Sequence, residues 1–281
     1  MFRSDLLKDQ VIIVTGGGTG LGKSMALRFA ELGAKLVITS RSRDHLDPTA
    51  KEIEAKGAEV LVYPCDVRMF DQVEAMVKAT VARFGRVDTL INNAAGNFLC
   101  QSEKLTPNGF ASIVGIVLQG SFNCTLAVGR QLIEQGGGGS ILSIVTTYAW
   151  TGSAYVLPSA TAKAGVLAMT RSLAVEWGRH KIRCNAIAPG PFPTEGAWQR
   201  LMPPGMNEEF LKKIPAGRVG EHIELANLAT YLLAKESGYI TGECVVIDGG
   251  EWLMGGEFNA MTTFDQGALG QMLGMMKPKK G

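Results

Sequence analysis

The feature that most constrains this chain is the run TGGGTGLG, residues 15–22, set between a β-branched stretch and an amphipathic one. Residues 11–15 (VIIVT) read as a short buried strand, and residues 21–32 carry a helical period closed by Gly33. Gly16, Gly20 and Gly22 keep Cβ atoms out of the turn between them. The backbone can then approach a pyrophosphate closely, and the helix N-terminus offers free N–H groups and a partial positive charge. In this strand–turn–helix setting the run points to a dinucleotide.

The rest of the chain keeps the same rhythm. Strand patterns at 35–39, 60–63, 89–91, 140–145, 182–187 and 244–247 alternate with helical patterns at 47–56, 70–84, 110–135, 161–178 and 223–233. About seven strands alternating with helices predict one α/β domain spanning residues 1–281: a Rossmann fold with a doubly wound parallel sheet and helices on both faces. Two stretches interrupt the pattern. Residues 191–213 are rich in Pro and Gly, follow a strand end and read as a substrate lid. Residues 255–281 read as a Gly- and Met-rich tail, with Leu269, Met272, Leu273 and Met276 on one helical face.

Composition limits the partners. The net charge is +2 and no basic stripe is interleaved with aromatics, so neither nucleic acid nor a membrane surface is expected. No apolar run reads as long enough to span a bilayer, and the cytoplasm is the expected compartment. Five scattered cysteines, with no CxxC pair, read as free thiols rather than a disulfide framework or metal site.

Cofactor choice is set at the end of the second strand. An acidic residue there would bond the ribose hydroxyls of NAD. This chain has Ser40 and Arg41, which predicts NADP(H), with Arg41 pairing the 2′-phosphate. Asp66 follows the third strand, where it can meet the adenine amino group.

Four motifs carry a family resemblance: TGGGTGLG, CDV at 65–67, NNAAG at 92–96 and PG at 189–190. Together the chain resembles the short-chain dehydrogenase/reductase family over nearly its whole length. The resemblance implies nicotinamide hydride transfer and a homotetramer or dimer, with the tetramer expected here. It also implies cofactor contacts at Gly16, Gly18, Thr19, Gly20, Leu21, Gly22, Arg41, Asp66, Val67, Asn93, Ala94, Lys163, Pro189, Gly190 and Phe192.

One departure is informative. The family pattern is Tyr-x-x-x-Lys, with the phenol as acid/base. Here Lys163 is present, but Ser159 holds the tyrosine position, and Gln119 replaces the usual helix asparagine. An aliphatic hydroxyl is a far weaker acid than a phenol of pKa ~10. The 2,4-dienoyl-CoA reductase subfamily has the same replacement, and segments 92–98, 146–153, 158–165 and 189–201 resemble it. That likeness implies Tyr148 and Asn97 as donors to the thioester carbonyl of an acyl-CoA. It implies Lys163 on the nicotinamide ribose, and Ser159 in support. Substrate contacts are implied at Arg41, Arg68, Phe98, Thr106, Tyr148 and Arg200. Two other readings stand beside it. One is a 3-oxoacyl or other carbonyl reductase using Tyr155 as acid; the other is a catalytically silent NADP-binding regulator.

Overall fold

The computed structural model of the protein describes residues 1–194 and 211–276. Seven strands form one parallel sheet: β1 (Val11–Thr15), β2 (Lys35–Ser40), β3 (Val60–Pro64), β4 (Thr89–Asn92), β5 (Gly139–Ile144), β6 (Ile182–Pro189) and β7 (Cys244–Ile247). Their order is β3-β2-β1-β4-β5-β6-β7. The chain therefore builds outward from β1 to β3, then crosses back to place β4 on the other side of β1. Ligands of open parallel sheets bind at such a reversal, beyond the carboxyl ends of the strands.

Alternation along each strand explains the two covered faces. Ile12, Val14, Leu36 and Ile38 point into one cluster with Phe29 of α1 (Gly20–Glu31), Ile53 of α2 (Leu46–Ala55) and Leu225 of α8 (His222–Leu233). Ile13, Val37 and Leu90 point the other way. They meet Val73 and Met76 of α3 (Phe70–Phe84) and Val128 and Leu132 of α5 (Gly120–Gln135). Side chains two residues apart share a face, so a strand buried on both sides reads as a continuous apolar run.

Two expectations need correction. The helix read at 110–135 begins earlier: α4 (Pro107–Val114) starts under a Thr106 cap, passes through a π-turn at Gly115–Gln119 and continues as α5. This unbroken Pro107–Gln135 helix has 29 residues and contains an 18-residue stretch of mean hydropathy 1.6. By length and composition it could cross a bilayer, contrary to the sequence reading. Ile113, Val117, Val128 and Leu132 are instead buried within the fold, which accounts for its apolar character.

The helix read at 161–178 also starts a turn sooner, as α7 (Leu157–Glu176). Pro158 lies in its first turn, where a missing N–H costs nothing. Beyond β7, two 3₁₀ turns lead into α9 (Gln266–Met275), where Leu269 and Met272 are half-buried and Leu273 and Met276 exposed. The five cysteines are unpaired. Residues 195–210 of the expected lid, including Arg200, lie outside the described residues.

Candidate active site

The turn after β1 is shaped by contacts only glycine permits. Gly16 has φ +64, and a Cβ there would sit 2.9 Å from Asn93 Nδ2. A Cβ on Gly22 would run into the Gly16 carbonyl and Asn93 Nδ2. The turn is tied to β4 from below. Thr15 Oγ1 donates to the Ile91 carbonyl (3.1 Å) and accepts from the Asn93 and Ala94 amides (3.0 Å each). Asn93 Nδ2 reaches back to the carbonyls of Thr15 (3.0 Å) and Gly16 (3.2 Å). From above, Thr49 Oγ1 holds the Gly18 carbonyl at 2.9 Å. The sequence assigned no role to Thr15 or Thr49, although a threonine closing the first strand was the visible signal for one of them.

Thr19 precedes α1 in extended backbone, and its side chain caps nothing. The first amides of α1 are thus uncommitted to a side chain, and Thr19 is exposed. A pyrophosphate fits this cradle: the turn has no Cβ over it, and the helix end favours an anion.

The adenosine side is polar and partly paired. Arg41 is exposed and has no ion-pair partner among the described residues. Asp66 takes the Arg68 guanidinium on both oxygens, at 2.5 to 3.1 Å. That bond, with Arg41 nearby, holds the Asp66 carboxyl below the usual range. Arg68 thus faces the expected adenine contact instead of standing free for substrate. Asn123, another residue missed in the sequence, donates to the Val67 (2.9 Å) and Arg68 (3.1 Å) carbonyls and accepts from Gln119 at 2.9 Å. Gln119 closes the π-turn, a helix irregularity often found beside functional sites.

The third group of residues converges at the carboxyl end of β5. Ser159 and Lys163 lie one turn apart on α7, so they share a face. The Tyr148 hydroxyl, from the short helix α6 (Tyr148–Thr151), is 3.1 Å from Ser159 Oγ, and Asn97 Nδ2 donates to it at 3.5 Å. Asn97 Oδ1 accepts the Phe98 amide (2.9 Å), which fixes the side-chain amide. Lys163 is buried and donates from Nζ to the Ile144 carbonyl at 2.5 Å. Burial pushes its pKa down to about 8. Near these groups Thr146 Oγ1 is buried with no partner among the described residues, and nothing in the sequence distinguished it from its neighbour Thr147.

Other expected residues are placed differently. Tyr155 is 57% exposed at φ +66 and has no side-chain bond to Ser159 or Asn97 among the described residues. Thr106 spends its hydroxyl on the Gly109 amide (3.1 Å), and Phe98 packs against the cluster around Ile113 and Val166. Phe192 is buried in the core, so only its backbone is left to face a cofactor. Gly190 donates to the Ile247 carbonyl, and a Cβ on it would strike Asp248 at 2.5 Å.

The family profile described as Enoyl-(Acyl carrier protein) reductase matches residues 16–251. A Bacillus subtilis protein named "Probable 2,4-dienoyl-CoA reductase [(2E)-enoyl-CoA-producing]" is 46% identical, over 88% of this chain and 98% of that protein. A Caenorhabditis elegans protein named "Probable 2,4-dienoyl-CoA reductase 3 [(3E)-enoyl-CoA-producing]" is 38% identical, over 100% of this chain and 94% of its own. The crystal structure of a short chain dehydrogenase from Bacillus anthracis matches with a TM-score of 0.81 at 46% identity, over 88% of this chain and 98% of that one. Fold, glycine turn and profile coincide over the same residues: the chain belongs to the short-chain dehydrogenase/reductase family, an oxidoreductase family that uses a nicotinamide dinucleotide.

Proposed function

We propose that the protein uses NADPH to reduce 2,4-dienoyl-CoA to 3-enoyl-CoA in fatty-acid oxidation. One observation carries this reading: the phenol at the site is Tyr148, held between Ser159 and Asn97, and not a residue one helical turn before Lys163. A phenol and an amide gathered at one point suit a carbonyl that is polarised but not reduced.

The dinucleotide, when bound, supplies hydride to carbon five of the diene. The protein's own residues do the rest. Arg41 supports NADPH over NADH, since its guanidinium is free for a 2′-phosphate. Lys163 gives one ammonium hydrogen to the Ile144 carbonyl and keeps others for ribose hydroxyls. As charge moves onto the thioester oxygen, Tyr148 and Asn97 donate to it; donors aimed where charge develops form an oxyanion hole. Ser159 orients the phenol. Water delivers the proton to carbon two, which leaves the double bond at carbon three, so no strong acid is needed at position 159. Arg200, and Arg68 if it releases Asp66, would pair with CoA phosphates. A homotetramer is part of the proposal, supported by Phe122, Ile133 and Val175, which α5 and α7 leave exposed.

The product in the Bacillus subtilis relative's name, a (2E)-enoyl-CoA, favours a second reading, in which the proton goes to carbon four and a 2-enoyl thioester forms. Product NMR after turnover with deuterated NADPH, or in deuterated water, separates them. The first reading expects cofactor deuterium at carbon five and solvent deuterium at carbon two. Solvent deuterium at carbon four installs the second reading. Deuteride on a carbonyl carbon makes the protein a carbonyl reductase.

A further inference from the structure

The imidazole of His222 joins three elements at the edge of the phosphate-binding turn. Its Nδ1 lies 2.8 Å from Ser24 Oγ on α1, and its Nε2 lies 2.7 Å from the Pro193 carbonyl, beyond β6. Ser24 Oγ is in turn 3.1 Å from the carbonyl of Gly20, the first residue of α1. The next residue after Pro193 completes the circle: Thr194 Cγ2 lies 3.1 Å from where a Cβ on Gly20 would stand. Segment 191–194 is stitched to the start of α8 a second time by the Gly220 amide, which donates to the Pro191 carbonyl at 3.0 Å.

The hydrogen count gives the ring a direction. A carbonyl only accepts, so Nε2 carries a hydrogen and points it at Pro193. Nδ1 meets the Ser24 hydroxyl, whose single hydrogen serves either Nδ1 or the Gly20 carbonyl at one time. His222 therefore links 191–194 to Ser24, one helical turn past Gly20 at the start of α1.

We propose that His222 is a positioning residue for the dinucleotide: it holds Pro193 and Thr194 against Gly20, so that the wall of the pyrophosphate site is in place before the cofactor arrives. The inference rests on the reading of 15–22 as the cofactor cradle. It assigns His222 no contact with the reacting atoms.

The test measures NADPH affinity by titration calorimetry and melting temperature without cofactor. Two hydrogen bonds are lost in His222→Phe, and the Kd is expected to rise about ten- to a hundredfold. His222→Gln can still donate to the Pro193 carbonyl and should recover most of that loss. Asn227→Ala serves as the structural control, because it removes only the other α1–α8 hydrogen bond, from Arg28 Nε (3.0 Å). It should lower the melting temperature and leave the Kd unchanged. Should His222→Phe not fold, Ser24→Ala breaks the α1 arm alone, with about a three- to tenfold rise expected.

The proposal is overturned if His222→Phe and Ser24→Ala melt lower yet bind NADPH like the unsubstituted protein, or if Gln restores nothing. Failure of the cofactor reading would look different. If the unsubstituted protein binds NADH as well as NADPH, the Arg41 argument fails. The same affinity ratios are then read with NADH, since both cofactors carry the pyrophosphate.

Discussion

On the β1–β4 side of the site, geometry is set by backbone: Gly16 at φ +64, Gly22 pressed on the Gly16 carbonyl, and Thr15 holding two amides of the next strand's turn. On the β5–α7 side it is set by side-chain tips: Tyr148 against Ser159 and Asn97, and Lys163 reaching the Ile144 carbonyl. The first construction leaves no room for an added atom. The second can exchange one hydroxyl for another and keep its shape, which is how a serine can stand where the family carries a tyrosine. Backbone-built parts fix what is bound; tip-built parts decide what chemistry follows.

The comparison can be broken most forcefully at Gly22. A Cβ there meets backbone, which cannot step aside as a side chain can. Gly22→Ala should weaken dinucleotide binding by about a hundredfold or more, as displacement by ~1 Å does at a preorganised site. Calorimetric affinity close to that of the parent would show that the turn gives way after all.

Tyr148→Phe comes next. Losing one oxyanion donor lowers kcat by about a hundred- to a thousandfold. Undiminished kcat on a dienoyl thioester would remove Tyr148 from the donor role. Arg41→Ala should raise the Kd for NADPH about ten- to a hundredfold and leave NADH nearly unchanged, a charge-assisted contact to phosphate being worth about 1.5–3 kcal/mol. Equal losses for both cofactors would contradict the 2′-phosphate assignment. Ser159→Ala removes an orienting hydroxyl only, and a fall in kcat of about tenfold or less is expected. A loss as deep as that of Tyr148→Phe would make Ser159 a partner in the chemistry itself.

A separate effect, on stability and not on catalysis, concerns Lys163 and pH. Burial holds its pKa at about 8, below the ordinary 10.5. Between these values the unfolded chain binds the extra proton, so this group's contribution to stability rises with pH through that window. Below about 8 both states are protonated and the contribution is flat. Urea unfolding of the parent and Lys163→Met from pH 7 to 10.5 should show the parent gaining, relative to the variant, up to about 3 kcal/mol. A gap that widens the other way would mean the ammonium is better paired than its burial implies.

What the sequence disclosed follows the same division. Strand cores such as 11–15 and 35–39, and the glycine turn, were legible because period and backbone demand are local properties. The Ser159–Lys163 spacing was legible too, although α7 begins at Leu157, a turn before the period at 161–178, with Pro158 in its first turn. What escaped were pairings between distant positions. Thr15 meets Asn93 across 78 residues, and Asn123 meets Val67 across 56. The Asp66–Arg68 pair is close in sequence, yet two plausible ligand contacts gave no hint that they bind each other. Thr146 and the π-turn at Gly115–Gln119 leave no periodic trace at all.

The place of β4 beside β1 also bears on how the chain reaches this state. Thr15 meets Asn93 only when β4, 78 residues further along the chain, lies beside β1. Closing so long a loop precedes any reward from the contacts it makes, so the pairing of β1 with β4 should be a late and slow event in folding. The dinucleotide site does not exist until that seam closes. Added cofactor will therefore slow unfolding and raise the melting temperature through mass action, while refolding rates stay as they are without it.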